Sequence, residues 1–183
     1  LWDRLKSPAR GVETLTQYLA LKKAQQDDLK DVGGFVAGTL NGGHRKAGAV
    51  TGRDMVTLDF DTIPPYGTDS ILQAVEDMGC GFCVYSTRKH MPTAPRLRIL
   101  IPLDRTVTAD EYEPIARHIA AQIGIQMADP TTFQPSRLMY WPSCSADGEY
   151  IFKYKDAPLI MADQILATYT DWHDFTSWPQ VPG

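Results

Sequence analysis

Apolar and polar positions follow two periods along this chain. Two-residue alternation marks "DMVTLDFD" (54–61), "FCVYST" (82–87) and "RLRILIPL" (96–103) as strands. In the last of these, Leu97, Ile99 and Ile101 fall on one face and Arg96, Arg98 and Leu100 on the other. "GGFVAGTL" reads as a shorter strand, followed by the glycine-rich loop "NGGHRKAGAVTGR". "SRLMYWP" and "EYIFKYK" read as two more strands, joined as a hairpin by the turn-rich "SCSADG". Helical spacing appears first in "GVETLTQYLALKKAQQDDLKD", with Leu15, Tyr18, Leu19 and Leu29 as its apolar positions and Gly33-Gly34 as its stop. "TDSILQAVEDMG" follows, with Thr68 as N-cap and Gly79 as terminator. "TADEYEPIARHIAAQIG" opens on a capping box, Thr108 with Glu111, and "MADQILATY" is the final helix.

The order α-β-β-α-β-β-α-β-β-α predicts an α+β fold, with helices on one face of a mainly antiparallel, RRM-like or palm-like sheet. At 183 residues the chain is expected to be a single domain, 1–183, with its core at about residues 33–160. A hydrophobic fraction of 43% with 22% charged residues is enough to bury a core. No apolar run approaches the ~20 residues of a membrane helix, so no membrane partner is expected. Three cysteines, an odd number at low density, point to a reducing, cytoplasmic setting rather than a disulfide framework. The start at Leu1 and the end at "WPQVPG" are those expected of a piece of a longer protein.

Net charge is −4, mildly against nucleic acid, but its distribution is uneven. Arg88, Lys89, Arg96, Arg98 and Arg105 crowd one stretch, with His90 among them and only Asp104 opposing. A second basic knot at His44, Arg45 and Lys46 is a candidate for template or phosphate contact, where glycines let backbone approach a ligand.

The candidate chemistry begins at Asp59 and Asp61. One residue apart on a strand, they share a face, repel each other and cost desolvation unless a hard cation such as Mg²⁺ or Mn²⁺ joins them. The bland alternative is a solvated strand end. Downstream, Ser86, Thr87, Arg88, Lys89 and His90 close the next strand, Arg96 and Arg98 share a face, and Asp129 and Arg137 precede another strand. Metal-holding acids with forked guanidinium donors are what nucleoside triphosphate chemistry requires.

The series "VTLDFD … YSTRKH … PRLRILIPL … ADPTTFQPSRLMYWPS" resembles the catalytic domain of archaeo-eukaryotic primases. It is most similar to the primase-polymerase domains of phage, prophage and plasmid replication proteins, including those grouped with virulence-associated protein E. The resemblance spans about Gly33 to Pro142 and implies an RRM-like sheet fused to a smaller N-terminal α/β unit. It implies that Asp59 and Asp61 form the metal-binding D-x-D and that Asp129 completes a site for two Mg²⁺ or Mn²⁺ ions. It also implies that His90 meets the incoming nucleotide's phosphates, with Ser86 or Thr87 in the place of the family's serine. Arg88, Lys89, Arg96 and Arg98 are the other candidates for the triphosphate clamp, His90 and Arg98 being favoured. The implied activity is metal-dependent nucleotidyl transfer, a DNA primase/polymerase acting on nucleoside triphosphates and single-stranded DNA, with a helicase domain as a partner in the same chain.

Two other functions compete: a non-catalytic module binding single-stranded DNA or nucleotide, and a D-x-D glycosyltransferase, which would not need a third acid before an arginine-led strand. A Rep-type nickase is set aside because His44, His90, His118 and His173 are scattered. Cys80 and Cys83 form a C-x-x-C without an obvious fourth ligand and read as small apolar residues. His118 and His173 read as structural, and Tyr140 and Trp141 as core.

Overall fold

A computed structural model describes residues 1–183. Its helices are α1 (Trp2–Leu5), α2 (Leu15–Ala20), α3 (Lys23–Lys30), α4 (Thr68–Asp77), α5 (Ala109–Ile123) and α6 (Ala162–Leu166). Its strands are β1 (Ala9–Arg10), β2 (Gly34–Phe35), β3 (Gly38–Leu40), β4 (Val50–Phe60), β5 (Phe82–Ser86), β6 (Leu97–Val107), β7 (Met139–Tyr140), β8 (Ser143–Cys144) and β9 (Phe152–Lys155). Five strands form one sheet in the order β3-β4-β6-β5-β9, every neighbouring pair antiparallel. The α+β architecture expected from the pattern is the one observed. No helix is long and apolar enough to cross a membrane.

The alternation in β4, β5 and β6 separates the two sheet faces. Val56, Leu58, Phe60, Phe82, Val84, Leu97, Ile99 and Ile101 point to one side, where α4, α5 and α6 bury them in a cluster of 25 residues. The opposite face holds an apolar cluster of only 5 buried residues, Leu5, Met55, Cys83, Tyr85 and Leu100, so the main core lies on the helix side. The two long helices end as their sequences direct. Thr108 accepts from the Glu111 N–H (3.2 Å) while Glu111 accepts from the Thr108 N–H (2.9 Å), the predicted capping box. Gly79, at φ +72°, follows α4 in the left-handed conformation that a glycine takes without strain. Thr68, by contrast, is the first helical residue and Gly67 stands at the cap.

Three further expectations need correction. The first predicted helix is broken into α2 and α3, because Leu21 and Lys22 adopt extended backbone. The buried Gln26 amide bridges the break, donating to the carbonyls of Tyr18 (3.1 Å), Leu19 (3.3 Å) and Leu21 (3.2 Å). It thereby satisfies oxygens that a helix C-terminus leaves open. "GGFVAGTL" is likewise two strands serving different sheets, β2 with β7 and β3 with β4. Finally, "SRLMYWP" and "EYIFKYK" do not pair as a hairpin: β7 pairs with β2, β8 runs parallel to β1, and β9 joins the main sheet beside β5. These short ribbons and α1–α3 lie over the sheet face opposite α4–α6, leaving a cleft between.

Candidate functional site

Register places one row of side chains across three strands on the cleft face. Tyr85 of β5 stands opposite Arg98 of β6, and Arg98 opposite Asp59 of β4. Arg98 Nε and a terminal nitrogen donate to the two Asp59 carboxylate oxygens at 2.6 and 3.2 Å. Its other terminal nitrogen donates to the Tyr85 hydroxyl (3.2 Å) and the Tyr140 carbonyl (2.9 Å). Burial penalises the Arg98 charge, but the Asp59 carboxylate and the Tyr85 oxygen outweigh that, raising the guanidinium above its ordinary value.

Asp129 reaches the same place through backbone pairing. After α5 the chain turns back along the end of β4. The Asp61 N–H donates to the Met127 carbonyl (3.2 Å), and the Asp129 N–H to the Asp59 carbonyl (2.8 Å). Asp129 Oδ1 then accepts from the Thr131 N–H and hydroxyl, both at 2.9 Å, while Oδ2 lies 3.6 Å from Arg137. Asp59, Asp61 and Asp129 therefore line one cleft of about 440 Å³. Burial, then the charges of Asp129 and Asp59, raise the Asp61 carboxyl above its ordinary value, with Arg96 opposing.

The donor chemistry fits a hard divalent cation, whose charge would relieve Asp61. As the side chains stand, no group of three or more His, Cys, Asp or Glu residues is arranged to hold an ion, and both Asp59 oxygens face Arg98. Asp61 and Asp129 are the residues placed to hold such an ion, with Asp59 available once it turns from Arg98.

Of the expected phosphate ligands, Thr87, Arg88, Lys89, Arg96, Arg98 and Arg137 line the cleft. Arg88 is tied to Glu13 beneath the Tyr18 ring. Lys89 and Arg96 carry no ion pair. Ser86 and His90 are placed elsewhere. The Ser86 hydroxyl is buried and accepts from the Ile151 N–H (2.7 Å). His90 turns into the β5–β6 connection, where Nδ1 accepts from the Arg96 N–H (3.0 Å), so Nε2–H faces Glu149 (3.1 Å). Burial lowers its pKa below the ordinary histidine value despite Glu149. With no exposed side-chain surface and its nitrogens facing the Arg96 N–H and Glu149, His90 does not line the cleft. In the basic loop, Arg45 lines the cleft and donates to the Ser136 carbonyl (3.4 Å), whereas His44 and Lys46 are exposed outside it.

The opposite wall comes from α2 and α3, outside the expected core: Tyr18, Lys23, Gln26, Asp27 and Lys30 all line the cleft. Tyr140 and Trp141 do so as well, with the Lys30 ammonium 4.9 Å from the centre of the Tyr140 ring. Burial lowers the Lys30 ammonium below its ordinary value, and Lys23, Arg98 and Lys89 push the same way against Asp27. One sequence signal for this wall exists. "KAQQDDLK" is too polar for a core-facing helix, yet it is held in place by the buried Gln26.

A mainly antiparallel sheet backed by helices is also the fold of a solved primase-polymerase domain. The AEP domain of the cyanophage S-2L primase-polymerase superposes with a TM-score of 0.52 at 18% identity, covering 80% of this chain and 76% of that one. The profile of the VapE N-terminal domain family matches residues 1–181, and the chain belongs to that family. A search of curated proteins returned no match.

Proposed function

We propose that the cleft binds a nucleoside triphosphate and that the chain is a metal-dependent nucleotidyl transferase, a primase/polymerase in the replication of a phage or mobile element. The observation that carries this reading is a charge conflict of both signs within one cleft. At one end burial and neighbouring acids raise Asp61; at the other, burial and neighbouring cations lower Lys30. A triphosphate with its divalent cation satisfies both ends at once, the cation among the carboxylates and the phosphates among the lysines and arginines. The match to a primase-polymerase fold supports the same reading.

In this mechanism Asp61 and Asp129, joined by Asp59, would hold the Mg²⁺ or Mn²⁺ ions. When bound, such ions polarise phosphoryl oxygens and lower the pKa of an attacking hydroxyl. Lys89, Arg96 and Lys30 bind the triphosphate and offset the charge that grows on the leaving pyrophosphate. Arg45 and the loop around it extend the basic surface toward a single-stranded DNA template. His90 orients the clamp from behind by fixing the Arg96 backbone. A helicase domain elsewhere in the same polypeptide is part of this proposal.

A second reading, a non-catalytic module binding nucleotide or single-stranded DNA, is favoured by one observation: Asp59 is engaged by Arg98 rather than grouped with the other acids. Nucleotide incorporation on a primed single-stranded template, with ribo- and deoxynucleotides in turn, separates the two. Metal-dependent incorporation by the unmodified chain and none by the Asp59→Ala/Asp61→Ala variant is the expected result. Binding without incorporation under every condition would favour the module.

A further inference from the structure

Arg98 is anchored twice over. Its side chain is only 9% exposed, and its fork grips both Asp59 oxygens at 2.6 and 3.2 Å. The remaining terminal nitrogen is held independently by the Tyr85 hydroxyl and the Tyr140 carbonyl. Tyr85 in turn donates to that same carbonyl (3.1 Å), closing a small polar network under the cleft floor. If Asp59 let go, Arg98 would keep its place. The partner with fewer holds in the pair is therefore the carboxylate.

The same carboxylate is wanted elsewhere. Asp61 feels the charges of both Asp129 and Asp59, and neither Asp61 nor Asp129 has an arginine as close as Asp59 has. A cation drawn in by Asp61 and Asp129 gains its third protein carboxylate in competition with Arg98, whose fork already takes a lone pair on each Asp59 oxygen.

We propose that Arg98 is a positioning residue that competes with the divalent cation for Asp59, holding this carboxylate away from Asp61 and Asp129 until the ion arrives. The inference rests on the active-site reading above. It makes a prediction opposite in sign to that for a structural strut: removing Arg98 tightens cation binding. A strut, once removed, loosens the site and weakens it.

The test is titration of the whole chain with Mn²⁺ alone, following the resonance signal of free Mn²⁺. Arg98→Met is expected to bind Mn²⁺ about tenfold more tightly than the unmodified chain, equivalent to about 1.4 kcal/mol. Arg98→Lys, which keeps the charge but loses the two-pronged grip, is expected to gain roughly threefold, by the difference between forked and point-charge donors. It carries the test should the methionine variant fail to fold. Adding Asp59→Asn to either variant is expected to erase the gain, since competition needs the carboxylate.

Unchanged or weaker Mn²⁺ binding by the Arg98 variants would overturn the proposal. So would a gain that survives Asp59→Asn, which would reveal only the removal of a nearby positive charge. Failure of the underlying reading looks different: Mn²⁺ binding that neither Asp61→Asn nor Asp129→Asn weakens places the ion outside the cleft, and overturns both.

Discussion

Two rows of side chains cross the same three strands one residue apart. Val84, Ile99 and Leu58 form one, and Tyr85, Arg98 and Asp59 the other. All three residues of the first are fully buried against α4–α6, and each contributes roughly 1.5–3 kcal/mol of hydrophobic stabilisation. The second row is built from groups that are costly to bury and must pair with one another. The backbone cannot distinguish the rows; only the alternation of side chains does. The sheet thus uses one face for stability, which frees the other to carry conflicting charges.

That division is open to direct attack. Leu58→Ala should have the largest effect, a loss of about 2–5 kcal/mol in urea unfolding, because it opens a cavity in the helix-side core. A loss below about 1 kcal/mol would mean the two faces share the load. On the cleft side, Lys30→Ala should leave the fold intact and weaken nucleotide binding by about fivefold to tenfold, roughly 1–1.5 kcal/mol for a lost charge-assisted contact. Equal affinity in calorimetry would remove α3 from the binding wall. Asp61→Asn should change stability by no more than about 0.5 kcal/mol, since burial and neighbouring acids already disfavour its charge. A large loss would make Asp61 a structural residue.

The smallest effect concerns pH. His90 is held below its ordinary pKa, so in the window between that lowered value and the ordinary 6.5 the unfolded chain binds more protons than the folded one. The stability it contributes is full above 6.5 and is lost as pH falls through that window. His90→Gln should flatten this part of a thermal-midpoint profile measured from pH 5 to 8. Parallel profiles for the two proteins would show that the buried ring does not titrate with folding.

Much of this arrangement was legible in the pattern of residues. The alternation in "VTLDFD" puts Asp59 and Asp61 on one strand face and that in "RLRILIPL" puts Arg96 and Arg98 on one strand face; the register then sets Asp59 opposite Arg98. The capping box at Thr108 and Glu111 could also be read locally, because both partners lie within one helical turn. Asp129 is different. It arrives through backbone pairing with residues some seventy positions earlier, as when its N–H meets the Asp59 carbonyl, and spacing alone does not encode such a contact.

The misplacements share that cause. His90 was expected to meet the nucleotide's phosphates. It lies among basic neighbours, but the tight turn from Thr87 to Arg96 folds its ring inward. β7 and β9 chose distant partners, β2 and β5, over the hairpin their spacing allowed, and the loop expected to join them supplies β8, which pairs with β1. The break between α2 and α3 depends on one buried amide, Gln26, reaching back to three carbonyls. That break brings Lys23 and Lys30 to the cleft, so two of its eight lysines and arginines lay in a segment that reads as part of one continuous helix.

The most direct test of the central claim is calorimetric titration of the unmodified chain with a deoxynucleoside triphosphate, in Mn²⁺ and again in chelator. If cation and phosphates neutralise opposite ends of one cleft, affinity should fall at least tenfold, about 1.4 kcal/mol, when the metal is removed. Equal affinities with and without Mn²⁺ would contradict the account.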